Sequence, residues 1–592
     1  LEAGKYVNES VTGTSSNRAN PFVMIARHNT SENFGECFGF NLIYSGNHYE
    51  AAQVNSYGKL RIVTGINPSL FSYKIRAGES FETPEAVMTY GYAGFNSMSH
   101  NMHDFVNNHI VRGKWKNRVR PILLNSWEAA YFNINEKKLL RLAKAGKEAG
   151  IELFVMDDGW FGERNDDTSS LGDWTPNEKK LPGGIREIAD KIKALGLDFG
   201  IWVEPEMVNV KSRLYEKHPE WVVDIPEKPH SEGRNQRILD LSNTEVQDYI
   251  IEQMSNIFSS ADISYVKWDM NRIFSDYYSK NLPPERQGEM AHRYVCGLYH
   301  CMRELTKRFP DILFEGCSAG GNRFDLGILC YFPQIWASDN TDALCRTQIQ
   351  YNYSYGYPLS CISAHVSASP NHQTLRNMPL ETRFAVAAFG NLGYEFNLCD
   401  LPKDEFMAVK AQIELYKKWR EVIQYGTFYR RECFDNRNSR NHGVLNNGAG
   451  NNASWCVASK DMSKAVGFTM QKLVVPNTQF ACFFANGLKD DAVYHFYNRR
   501  LKHNIKEFGE LVNMVSPVHI KQGSLVQELA SKFVKLDGET EDYTAYGDTL
   551  MYAGVKLKQS FSATGYSEDV RLYQDFAARL YFMEEVNADD NA

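Results

Sequence analysis

No apolar stretch in this 592-residue chain approaches the roughly 18 residues that a membrane-spanning helix requires. The first residues, LEAGKYVNES, carry neither a secretory h-region nor an initiator methionine, so a fragment or a processed product is expected. No run of Lys and Arg offsets a formal net charge of −7, which argues against nucleic acid or an anionic membrane as partner. CxxC pairs are also missing. Eleven cysteines, an odd number spread over a long chain, read as reduced thiols and exclude a disulfide or zinc framework. The sequons at Asn8, Asn29, Asn352 and Asn452 then carry little meaning, and a cytoplasmic enzyme is expected. There is no internal repeat and no low-complexity linker.

What is present is ordinary globular composition, 43% hydrophobic and 23% charged, in a chain too long for one core, so two to four domains are expected. Residues 1–115 alternate apolar and polar positions in short pieces such as FGFNLIYSG and KLRIVTGI, the pattern of an N-terminal β-sandwich portion. Residues 116–427 alternate short apolar runs with amphipathic helices. The runs are PILLNSW, IELFVMDDGW, DFGIWVEPEM, QRILDLS, SYVKWDM, ILFEGCS, IWASDN and PLSCISAHV. Between them, Ile185, Ile188, Ile192 and Leu195 recur at helical spacing before Gly196, and Asn243 precedes a helix that turns Val246, Ile250, Met254 and Ile257 inward. This repetition predicts an α/β fold, a closed (β/α)8 barrel in preference to an open doubly wound sheet. Residues 428–592 return to short strands and predict a C-terminal antiparallel β-sandwich, with an Asn- and Gly-rich loop at 435–452.

In a (β/α)8 barrel the chemistry sits at the C-terminal ends of the strands. Those ends supply Trp127, Asp157 and Asp158, Trp202 with Glu204 and Glu206, Asp240, Asp269, Cys317, Asp339 and Asp342, and His365. One such Asp alone is more often a turn or helix cap than a catalyst. Acids at six of eight ends, accompanied by tryptophans, are harder to assign to capping. In SYVKWDMNR, period-two alternation points Tyr265, Lys267 and Asp269 into the barrel mouth and Val266 and Trp268 toward the helices. A cation at Lys267, with donors from Asn271 and Arg272, predicts an Asp269 that stays ionised, which suits a nucleophile. The alternative is a salt bridge that only pins the strand end. Asp339 and Asp342 stand close in SDNTD, so mutual repulsion can keep one of them protonated as an acid, while Asp342 can instead cap the next helix. Trp127, Trp160 and Trp202 predict an apolar wall for the CH faces of a sugar, and Asp157 and Asp158 can accept its hydroxyls; barrel-cap packing is the competing role for the tryptophans.

The motifs DDGWF, GIWVEPEMV, GRNQRILDLS, YVKWDMNR, EGCSAGGNRFD, PQIWASDNTDA and SAHVSASPNHQT resemble, in order and spacing, the microbial α-galactosidases of glycoside hydrolase family 36. The resemblance extends from about residue 28 to beyond residue 430. It implies a retaining exo-glycosidase acting on terminal α-galactosyl residues of the raffinose and melibiose type, without a cofactor. It assigns Asp269 as nucleophile and Asp339, not Asp342, as general acid/base. Asp157 and Asp158 are then expected on the galactose 4- and 6-hydroxyls, with Trp202, Arg234, Lys267 and Cys317 lining the same pocket. It also implies a homo-oligomer, a tetramer in relatives, and a larger N-terminal sandwich than 115 residues can form.

One departure bears on the substrate. The family's loop commonly reads GCSGGGGRFD, whereas this chain has Ala319 and Asn322. An α-N-acetylgalactosaminidase or α-galactosaminidase is therefore the alternative within the class. A Mg²⁺-dependent, enolase-like lyase and a catalytically dead sugar-binding protein are the alternatives outside it. The presence of both Asp269 and Asp339 argues against the last.

Overall fold

The computed structural model describes residues 4–433, 450–474, 481–514, 516–558 and 573–586. Residues 435–449 of the expected Asn/Gly loop lie outside them. Six N-terminal strands, β1 (Gly4–Glu9), β2 (Phe22–Ala26), β3 (Cys37–Leu42), β4 (His48–Val54), β5 (Leu60–Ile66) and β6 (Ala86–Gly91), form two antiparallel three-stranded sheets in the orders β1-β4-β5 and β2-β3-β6. Together with the barrel they make one compact unit, and the C-terminal sheet domain makes a second. The hydroxyls of Ser15 and Ser45 donate to the buried Asp325 carboxylate at 2.6 and 2.7 Å. That carboxylate also caps the short helix Leu326–Leu329, so N-terminal segments are fastened beside a barrel loop.

The barrel closes through eight parallel strands: β7 (Leu123–Asn125), β8 (Leu153–Met156), β9 (Asp198–Val203), β12 (Tyr265–Trp268), β13 (Leu313–Gly316), β14 (Gln334–Trp336), β15 (Ile362–Val366) and β16 (Asn391–Tyr394), between which β10 (Met207–Val208) and β11 (Arg237–Ile238) form a separate antiparallel pair. QRILDLS is thus not a barrel strand. It supplies β11, two residues paired with the excursion that follows β9. The eighth strand is NLGY at 391–394, whose Asn and Gly read as turn chemistry. Gly393 is required there because a Cβ would collide with the His365 ring on β15.

Inside the barrel, Leu123, Leu153, Val155, Tyr265 and Leu313 form an apolar layer. The polar residues of the strands stand above it, at the C-terminal mouth. The helices form where the spacing places them. Gly184–Ala194 buries Ile185, Ile188 and Ile192 and is followed by Gly196 at φ +79°. Thr244–Ser260 is capped by the Asn243 side chain, which accepts the Glu245 N–H.

In the second unit a six-stranded antiparallel sheet runs in the order Thr427–Glu432, Asn452–Ala458, Lys464–Gln471, Ala578–Glu585, Val493–Asn498, Asp542–Tyr546. The short pair Cys482–Phe483 and Val555–Lys556 contributes Phe483 and Val555 to a core with Tyr494, Phe496 and Tyr581 of that sheet. Among the described residues no helix is long and apolar enough to cross a membrane.

Candidate active site

A cavity of about 200 Å³ opens at the C-terminal mouth of the barrel. Asp157, Asp158, Trp202, Arg234, Lys267, Asp269 and Asp339 all line it. Seven of the eight residues that the family resemblance assigns to the site therefore meet at one place, from four barrel strands, β8, β9, β12 and β14, or the loops that follow them.

Asp269 lies one residue beyond β12 and is 5% exposed. Its Oδ2 accepts the Trp202 indole N–H at 3.2 Å and the Asn271 amide at 2.8 Å, while Oδ1 accepts the Met270 and Ala319 backbone N–H groups at 2.8 and 3.1 Å. Burial alone would raise this carboxyl. The Lys267 charge, the Ala319 N–H, the Cys317 thiol and the Asn271 amide outweigh it and hold Asp269 below its ordinary value. Cys317 sits behind Asp269 and is not among the side chains that reach the cavity wall. Lys267 projects from the same inward face of β12, and its ammonium donates to Asp157 Oδ2 at 3.0 Å.

Asp157 also accepts the Asn125 amide at 2.7 Å from the neighbouring β7. Asp158 is gripped bidentately by the buried Arg164, whose Nε donates to Oδ1 at 3.0 Å and Nη2 to Oδ2 at 2.8 Å. Burial pushes Asp158 up from its ordinary value, and Arg164 opposes the rise. Arg234, in a loop at φ +49°, donates to Asn271 Oδ1 at 3.3 Å.

Asp339 follows β14, and its Oδ1 accepts the Trp336 indole N–H at 2.8 Å. Its pKa is raised, first by burial and then by the Asp269 charge, against the opposing pull of Lys267 and Trp336. The sequence suggested repulsion from Asp342 as the cause. That carboxylate instead accepts the Thr374 hydroxyl at 2.7 Å and is not on the cavity wall.

Three more strand-end residues leave the site. Asp240 is buried against the Ser242 and Ser279 hydroxyls, in the excursion and not in the barrel. Glu206 receives Arg323, Trp268 and Tyr294 and is structural. Trp160 is fully buried against Phe161 and Trp174, so it is not part of the wall. The aromatic wall is Trp127, Phe132, Trp202 and Trp336. Trp336 and Phe132 were missed because one sits three residues before its acid and the other in a loop. Alternation would have found neither. Glu128, Thr341, His372, Gln373 and Glu395 also line the cavity, and Glu395 was missed with its strand, β16. Among the described residues no group of three or more His, Cys, Asp or Glu side chains is arranged to hold a metal ion.

Two buried carboxyls of opposite bias, one lowered and one raised from the ordinary carboxylate value, suit acid-assisted displacement at a glycosidic carbon. Comparison with known proteins gives the family. The melibiase family model matches residues 80–426, and the glycosyl hydrolase family 36 N- and C-terminal domain models match residues 1–76 and 452–583. The chain belongs to glycosyl hydrolase family 36, the melibiases. Among its family 36 relatives, α-galactosidase AgaA of Geobacillus stearothermophilus is 48% identical over 494 residues, covering 83% of this chain and 66% of AgaA. Mel36A of Lactobacillus acidophilus is 46% identical over 463 residues, covering 78% of this chain and 61% of Mel36A. The chain thus spans slightly less than two thirds of the length of these curated relatives. The crystal structure of a substituted AgaA in complex with raffinose superposes with a TM-score of 0.85 at 42% identity, over 99% of this chain and 72% of that one. The α-galactosidase of Lactobacillus brevis gives 0.86 at 38% identity, over 99% and 71%. The barrel flanked by antiparallel sheet domains is the architecture these family 36 structures share.

Proposed function

We propose that this chain is a retaining exo-glycosidase that removes terminal α-galactosyl residues from oligosaccharides. The observation that carries the reading is the electrostatic contrast between Asp269 and Asp339 within one cavity. Asp269 attacks the anomeric carbon while Asp339 gives its proton to the departing oxygen, so the glycosidic bond breaks as the glycosyl ester forms. Asp339, now ionised, takes a proton from water, whose oxygen displaces Asp269 and restores both groups. Asp157 and Asp158, each fixed by a cation, accept hydroxyls of the terminal sugar, and Trp202 and Arg234 bound it. Lys267 and Cys317 act on Asp269.

Raffinose and stachyose complexes of AgaA support oligosaccharides of that type as substrates. No relative matched above is named as an acetamido-sugar hydrolase. Eleven free thiols fit a reducing compartment, and we place the protein in the cytoplasm as a homo-oligomer. Light scattering reports the number of copies. Trapping with a 2-deoxy-2-fluoro galactosyl donor, followed by peptide mapping, tests the mechanism: the label is expected on Asp269, and a label elsewhere refutes the assignment. Faster turnover of a nitrophenyl 2-acetamido-galactoside than of the galactoside would move the substrate assignment. Loss of activity on exhaustive EDTA treatment would favour the metal-dependent reading.

A further inference from the structure

We propose that His372, oriented by Glu128, is the hydrogen-bond donor that selects the sugar on the leaving-group side of the cleaved bond, an inference that rests on the glycosidase reading above. His372 lies in the loop after β15. The buried Asn371 fixes that loop: its amide donates to Thr341 Oγ1 at 2.9 Å, and its Oδ1 accepts the Gln373 and Thr374 N–H groups at 3.0 and 3.2 Å. The Gln373 amide then donates to the Asp339 carbonyl at 2.9 Å. The loop is thereby bound to the segment that carries Asp339, so His372 stands on the side from which the leaving oxygen receives its proton.

Depth separates this position from the terminal-sugar site. Asp157, Asp158, Lys267 and Asp269 form the buried floor, between 3% and 6% exposed. The His372 side chain is 32% exposed and lines the same cavity, which makes it rim. A terminal sugar presenting its anomeric carbon to Asp269 fills the floor, and the group it leaves behind passes Asp339 toward the rim.

The imidazole is held for one task. Nδ1 lies 3.0 Å from Glu128 Oε1, which also accepts the Thr341 hydroxyl at 3.2 Å. The Glu128 side chain is 4% exposed, and its only ion-pair partner among the described residues is His372. With Nδ1–H committed to that carboxylate, Nε2 is the ring atom left for a ligand; the negative charge of Glu128 favours the doubly protonated ring, against burial, which pushes the Glu128 carboxyl up. The hydrogen bond to Glu128 raises the His372 pKa against the opposing effect of burial. A charged N–H donor at the rim fits a hydroxyl or ring oxygen of a second sugar. It has less to grip on a flat nitrophenyl group.

The test is carried out on the full chain with His372→Ala and Glu128→Gln, measuring kcat/KM for raffinose and for p-nitrophenyl α-galactoside. The ratio of the two is expected to fall about tenfold in both variants, the ~1.4 kcal/mol scale of one charge-assisted hydrogen bond. Competitive inhibition by free galactose reads the floor of the site and is expected to weaken less than about threefold. An unchanged ratio overturns the inference, as does a loss of galactose inhibition equal to the loss on raffinose. If the unsubstituted chain cleaves neither substrate, the glycosidase reading itself fails, an outcome distinct from a ratio that does not move.

Discussion

Gly320 lies so close to Asp339 that a Cβ added to it would collide with the Asp339 backbone nitrogen. Its neighbour Ala319 donates its N–H to Asp269. The turn Ser318–Gly321 therefore touches both carboxyl-bearing segments and sets where one stands relative to the other. All four residues of the turn have φ between +51° and +88°, and two of them are not glycine. Such strain at a site persists only where the surrounding contacts enforce it.

Gly320→Ala is expected to displace the Asp339 segment, since the obstacle is backbone and cannot rotate away. The expected result is a fall in kcat of at least about 100-fold, the scale on which misplacement of a catalytic group acts, with a smaller change in galactose binding. Stopped assays and galactose inhibition on the same preparation check it.

Ala319→Gly tests the neighbouring position from the other side. A left-handed alanine costs roughly 1 kcal/mol that glycine does not, offset in part by the entropy glycine adds to the unfolded chain. Thermal unfolding is expected to show a midpoint equal to or above the parent's. Activity is expected to be kept, because the N–H donated to Asp269 is backbone.

The pH profile follows from the two carboxyls. Asp269, held low, must be ionised, so kcat/KM falls as pH drops through its depressed pKa. Asp339, held high, must be protonated, so kcat/KM falls as pH rises through its elevated pKa. Lys267→Met removes the largest of the effects that hold Asp269 down. Its acid limb is expected to move to higher pH, with a loss of roughly 100-fold at the optimum. An acid limb that stays in place would show that Lys267 acts only through Asp157.

Most of the site was legible in the sequence because it lies on strands whose period-two pattern fixes which residues share a face. Lys267 and Asp269 were placed by that rule alone. The fold was legible up to its eighth strand, which the pattern assigned to QRILDLS. That segment reads as apolar, yet it pairs only two residues outside the barrel, and the true strand NLGY carries an Asn and a Gly that read as turn chemistry, the glycine being needed beside the His365 ring. The electrostatic partners were less legible. Arg164 lies six residues beyond Asp158 in a loop, and no periodicity links a loop to a strand. The cause of the raised Asp339 pKa was misassigned for a similar reason: Asp342 is near in sequence, whereas Asp269 is near in space.

Glu206, at a strand end rich in acids, is an ion-pair partner within the fold. Its two oxygens receive Arg323 Nη1 and Nη2 at 2.9 and 2.7 Å, with the Trp268 indole and the Tyr294 hydroxyl each at 2.7 Å. Arg323→Met leaves this buried carboxylate without its cation and is expected to destabilise the fold by about 3–5 kcal/mol. The double variant with Glu206→Gln is expected to recover part of that loss. Chemical denaturation of the two variants checks both; equal stability of the single and double variants would show that the uncompensated charge is not what costs.

Glu204 provides the sharpest test of buried charge near the site. It is fully buried, its Oε1 accepts the Asn271 N–H, and its Oε2 accepts the Gln236 amide at 3.1 Å. Burial, followed by repulsion from Asp269, pushes its pKa from 4.5 to about 8. A folded-state value above the unfolded one means that the native state binds the extra proton between those limits. Stability is then highest below pH 4.5 as far as this group is concerned, and falls by up to ~1.4 kcal/mol per pH unit as pH rises toward 8. Glu204→Gln removes the titration and keeps the shape. Its oxygen can accept the Asn271 N–H, and its NH₂ can donate to Gln236 if that amide flips. The flip is open because Gln236 Oε1 is buried without a partner in the present arrangement. The variant is therefore expected to gain stability over the parent as pH rises from 5 to 8, read as a difference in unfolding midpoint that grows with pH. A constant difference across that range would mean that Glu204 is already ionised in the folded protein.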